Sequence, residues 1–161
     1  MTSIKPYLRT IGILVTISLL NSCGQQDNGL EKAQIHARSA AAYQQQGQYR
    51  AAIIEARNAV KFYPSAEHQL VYAKIMLEIG RTKSIIKQLE NVAEQQPNIV
   101  GLTLAKAYVK QGKFRSALSL LEKLTPPEST TELQEYTLIK AQSLNGSKQA
   151  NEAEELLQAL L

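Results

Sequence analysis

The chain has 161 residues, of which 20% are charged and 44% hydrophobic, a balance that suits a folded domain and excludes a disordered one. Eighteen Lys and Arg against fourteen Asp and Glu give a formal charge of +4. Two of those cations lie in a segment expected to be removed, and no dense run of Lys and Arg remains, which argues against nucleic acid as a partner.

In chain order, residues 1–22 read as an export signal. Lys5 and Arg9 form a positive start, and Ile11 to Leu20 (IGILVTISLL) an apolar stretch. That stretch is too short to span a bilayer, which needs about 20 residues, and fits the apolar core of a signal peptide. Leu20-Asn21-Ser22-Cys23 follows, and the only cysteine of the chain stands at its end. These four residues resemble the bacterial lipobox. The resemblance implies cleavage between Ser22 and Cys23, a thioether-linked diacylglycerol on Cys23 and an acyl group on its freed amine. Several chains together make a durable anchor where one alone is marginal. An ordinary signal peptide with an incidental cysteine is the blander alternative. Gly24 stands where Asp usually retains such lipoproteins at the inner membrane, so the resemblance implies an outer-membrane anchor with the folded part facing the periplasm. Gly24 to Gly29 (GQQDNG) has no apolar periodicity, and residues 23–31 are expected to be an acylated cysteine and a flexible tether.

From residue 32 onward the sequence resembles itself. Ala40, Ala73, Ala105 and Ala141 are each followed twelve residues later by Ala52, Ile85, Ala117 and Ala153. Ala56, Leu89, Leu121 and Leu157 come four residues further on, then Ala59, Val92, Leu124 and Leu160. Glycines interrupt each unit (Gly47, Gly80, Gly112 and Gly146), and prolines close three of them (Pro64, Pro97, Pro126-Pro127). Apolar spacings of three and four predict helices with one buried face. Paired small residues let two helices approach closely, glycine supplies a left-handed turn, and proline stops the helix. The units are expected at about 32–65, 66–98, 98–130 and 131–161.

This pattern is similar to the tetratricopeptide repeat. The first unit carries it most fully, with Ala40, Tyr43, Gly47, Tyr49, Ala52, Ala56, Ala59 and Pro64. The third follows with Ala105, Tyr108, Gly112, Phe114 and Ala117. The second departs at Thr82 and Ile85, and in the fourth Gly146 comes early. The resemblance implies an all-α fold, a right-handed α-solenoid of about four antiparallel helical hairpins behind a signal-peptide helix. Tyr49–Gly80 further resembles the tetratricopeptide lipoproteins that accompany exosortase and PEP-CTERM sorting systems, and pilus-assembly lipoproteins remain open as relatives. Those sorting lipoproteins are much longer, so the chain is expected to be a piece of a longer repeat protein, or to pack the leucines of Ala153–Leu161 on a partner or on itself.

No nucleophile motif, phosphate-cradling loop or metal-ligand spacing occurs. His36 and His68 lie at non-equivalent repeat positions and read as packing or surface residues. Tyr43, Tyr49, Tyr108 and Phe114 fall at repeat-core positions and read as core. No catalytic residue, metal or cofactor is expected beyond the lipid on Cys23. In solenoids of this kind the first helix of each hairpin lines the ligand-facing side, which implies Gln44, Lys74, Leu77, Lys106, Val109, Lys110, Gln142 and Asn145 as the partner-binding set. Its three lysines would attract an acidic segment. The function that the resemblance implies is a non-enzymatic scaffold that binds envelope proteins or peptide segments, with self-association of a structural module as the alternative.

Overall fold

A computed structural model describes residues 23–159, and side chains from Asn28 onward. The signal segment, including Ser22, and the side chain of Cys23 lie outside the described residues. Among the described residues there are eight helices and no strand. They are α1 (Cys23–Gln45), α2 (Tyr49–Phe62), α3 (Ala66–Glu78), α4 (Thr82–Ala93), α5 (Pro97–Lys110), α6 (Phe114–Leu121), α7 (Thr130–Gly146) and α8 (Ala150–Gln158).

The stretch 24–29, expected to be an irregular tether, is helical and continuous with α1. Extending a helix already nucleated by the buried turn around Ala33 and Ala40 costs little per residue, and no proline intervenes to stop it.

Each helix packs on the next in sequence, and α1, α3, α5 and α7 also pack side by side. The result is a stack of antiparallel hairpins with the odd-numbered helices as a common inner row. The phased small residues make this possible. Ala40, Ala52, Ala56 and Ala59 are fully buried, as are Ala105 and Ala117, and Ala73 and Ala141 are nearly so. With only a methyl group at the crossing, α1 and α2 come close enough for Gly29 to lie against the Phe62 carbonyl. Larger side chains then fill the seams between hairpins. Ile75 fills the first, Ile85, Leu89, Val100 and Leu104 the second, and Leu121, Tyr136 and Ile139 the third. A fully buried Leu or Ile contributes about 1.5–3 kcal/mol.

The turn inside each hairpin repeats one hydrogen-bond pattern. Gln48 N–H donates to the Tyr43 carbonyl, Arg81 to Met76, Lys113 to Tyr108 and Gln149 to Leu144. This is the Schellman closure of a helix, which requires a left-handed residue. Gly47, Gly80 and Gly112 fill that place with φ of 71°, 76° and 70°. In the fourth turn the glycine expected there, Gly146, is instead the last residue of α7, and Lys148 adopts φ 67°. Gly146 meets a different constraint: a Cβ on it would come within 2.4 Å of the Phe114 ring.

One other expectation changes. Pro97 opens α5 at its first position, where its missing N–H costs nothing, instead of closing the hairpin before it. Leu157, phased with buried Leu89 and Leu121, is 40% exposed. No hairpin lies beyond it among the described residues. Among those residues no helix is long and apolar enough to cross a membrane.

Candidate functional site

The C-terminal halves of α1, α3 and α5, with the start of α7, enclose a groove of about 500 Å³. Gln44, Lys74, Leu77, Glu78, Thr103, Lys106, Lys110 and Glu135 line it. The repeat register explains why these residues meet. Positions 74 and 106 are equivalent, and so are 44 and 77, so parallel inner helices present each pair side by side.

Leu77 and Thr103 are buried and form the floor, while Lys74, Lys106 and Lys110 stand exposed on the walls. The polar groups are partly committed. Glu78 accepts hydrogen bonds from the Tyr49 hydroxyl at 2.7 Å and from the Gln44 amide at 2.6 Å. These bonds, Tyr49 first, hold the Glu78 carboxyl below the usual carboxylate range, and the same contact raises the Tyr49 hydroxyl. Lys106 pairs with Glu135 across to α7. It is the only Lys or Arg with an ion-pair partner among the described residues. Lys74 and Lys110 therefore offer uncommitted positive charge to the groove. A narrow crevice of about 90 Å³ continues it from Lys74 and Thr103 toward Asn98, Thr125 and Glu132. There Asn98 accepts from the Thr125 N–H at 3.1 Å and fixes the linker after α6.

Of the eight residues expected to face a partner, the structure brings together five: Gln44, Lys74, Leu77, Lys106 and Lys110. Leu77 is 4% exposed, so it supplies floor and no free contact surface. Val109 is not on the groove wall. Although equivalent to Gln44 and Leu77, it is half-buried against the core shared by α5, α6 and α7. Gln142 and Asn145 are exposed on α7 but lie outside the groove, since no ninth helix among the described residues carries the row past them. Sequence reasoning missed Glu78, Thr103, Glu135 and Tyr49. The missing signal was pairing between hairpins. Lys106 and Glu135 lie 29 residues apart and meet only because successive inner helices are parallel.

Both histidines have structural partners. His36 stacks on Phe62 with ring centroids 5.3 Å apart and is hydrogen-bonded to Glu55. His68 is buried against the Tyr63 carbonyl and the Ser65 hydroxyl, where it helps fix the linker into α3. Among the described residues no group of three or more His, Cys, Asp or Glu side chains is placed to hold a metal ion. No protein-family model matches the chain, and no curated protein is significantly similar to it.

Proposed function

We propose that this protein is a non-enzymatic scaffold of the tetratricopeptide type, which binds an extended segment of a partner protein in the groove of its inner helices. The observation that carries this reading is the groove itself. It is open and built from four separate hairpins, with an apolar-to-neutral floor and two lysines that have no acidic partner among the described residues. Such a surface has room for main chain along its floor and for carboxylates at its walls. The lipobox-like Leu20–Cys23 supports acylation of Cys23 and an outer-membrane anchor. The scaffold would then serve an assembly, export or protein-sorting system of the bacterial envelope.

A photo-crosslinking amino acid at Lys74 or Lys110 tests the groove in cells. Discrete adducts from these positions, and none from Lys87 on the outer helix α4, are expected. Equal or absent adducts from both faces would remove the groove from the proposal. Palmitate labelling of wild type against Cys23→Ala tests the anchor separately, and labelling that survives the substitution would end that part.

One observation favours a second reading, self-association of a structural module. Leu138 is 50% exposed, whereas its repeat equivalents Leu70 and Leu102 pack against neighbouring hairpins. Sedimentation of the chain in detergent distinguishes the two, since a strictly monomeric species removes self-association.

A further inference from the structure

The turns within the hairpins lie along one edge of the stack. Residues Gly112–Ser116 at the third turn and Gly146–Lys148 at the fourth line a common cleft, and Glu78 at the second turn is bonded to Gln44 and Tyr49 at the first. Neighbouring inner helices lie about 10 Å apart, so the turns form a row at roughly that spacing.

That row is basic. At one repeat position it carries Arg50, Lys83 and Arg115, and two residues earlier in the register Arg81 and Lys113. With Lys148 this makes six cations, all exposed, and none has an ion-pair partner among the described residues. The five-residue turn windows 46–50, 79–83, 111–115 and 147–151 contain no Asp or Glu. The two acids bordering the row are tied down, Glu78 by Tyr49 and Gln44, and Glu152 by Gln149. The opposite edge has the reverse character, with exposed Glu31, Glu67, Glu94, Glu122, Glu128 and Glu132 against Lys32, Lys61 and Lys123. The groove shares this polarity, since Lys110 stands at its turn end and Glu132 lines the crevice at the other.

We infer that the turn edge and the basic end of the groove form one continuous track for an extended acidic polypeptide segment, which lies in the groove past Lys74 and Lys110 and crosses the edge over Arg81, Lys113 and Arg115. The inference rests on the reading of the groove as a site for an acidic segment and adds the turn edge as the path by which that segment leaves it. A flat anionic bilayer fits less well. None of the exposed large apolar residues (Ile35, Ile54, Phe62, Leu133, Leu138, Leu157) lies in the turn windows to anchor it. The 23 residues of α1 also set the turn edge about 33 Å along the helix from Cys23.

The test uses the full chain in detergent with a fluorescein-labelled twelve-residue poly-glutamate peptide, read by anisotropy. A ridge variant, R81Q/K83Q/K113Q/R115Q, and a groove variant, K74Q/K110Q, are each expected to weaken binding about tenfold at low salt and to flatten its salt dependence. Loss in the groove variant alone overturns the ridge and leaves the groove reading intact. Loss in the ridge variant alone overturns the groove as the partner site, and with it the continuous track. No loss in either, or no binding by wild type, overturns both. Vesicles of phosphatidylglycerol provide the other arm, and ridge-dependent binding to them without peptide binding makes a lipid surface the occupant and ends the proposal. Where the fourfold variant loses its helical circular dichroism, a photoreactive group on the peptide replaces it with wild-type protein. Adducts at residues 79–84 and 111–116 support the track, and adducts confined to the groove overturn it.

Discussion

At the scale of single residues, the hairpin turns separate backbone cost from packing cost. At Gly47, Gly80 and Gly112 an added Cβ would meet nothing within 4 Å. The glycines are there for their positive φ alone. Lys148 makes the same turn without that freedom, and a left-handed L-residue costs about 1–2 kcal/mol. Replacing Lys148 with Gly is therefore expected to stabilise the chain by up to about 1 kcal/mol, after the extra chain entropy of glycine is offset. Gly80→Ala is expected to destabilise by about 1 kcal/mol. Urea midpoints of the two variants check both signs, and a destabilised Lys148→Gly would contradict the turn assignment. Gly146→Ala belongs to another class, because its Cβ would enter the Phe114 ring.

At the scale of elements, the helices are coupled by polar contacts as well as by their apolar seams. Tyr108 on α5 lies half-buried between two core clusters and donates its hydroxyl to Glu90 on α4 at 2.6 Å. Burial first, and the bond to Glu90 second, push the hydroxyl from 10.0 up to about 12. A group whose pKa is raised by folding contributes stability that is complete below its unfolded value and is lost as pH climbs through its folded value. The α4–α5 seam should therefore weaken between about pH 10 and about pH 12. Thermal melts across that window are expected to show a steeper loss in wild type than in Tyr108→Phe. Equal slopes would mean that the Tyr108–Glu90 contact does not hold in solution. Tyr136 ties α7 to α6 in a similar way, donating to the Leu121 carbonyl at 3.1 Å.

At the scale of the whole molecule, stability is set by which faces find a neighbour, since each hairpin touches only those beside it. Leu102 and Leu138 occupy the same repeat position. The first packs against the core formed with α6 and α7, and the second is 50% exposed. Leu102→Ala is expected to cost about 1–2 kcal/mol and Leu138→Ala to stay within about 0.5 kcal/mol, as measured by urea unfolding. Equal costs would show that the face of α7 is covered in solution, which is what the self-association reading requires.

The division between sequence and structure follows from the range of the interactions. The helices, their pairing into hairpins and the buried alanines were legible because each depends on residues within about a dozen positions. The spacing that puts Ala40 opposite Ala52 is itself the pairing instruction. What required the fold were features made by residues about one repeat apart. The Lys106–Glu135 pair and the hold of Gln44 and Tyr49 on Glu78 are of this kind, and so is the inward turn of Leu77 and Val109. The basic turn edge is the clearest case. In the sequence its cations are scattered singly and add up to no cluster. Parallel inner helices stack equivalent positions side by side, so charges 32 or 33 residues apart in the chain become neighbours in one row.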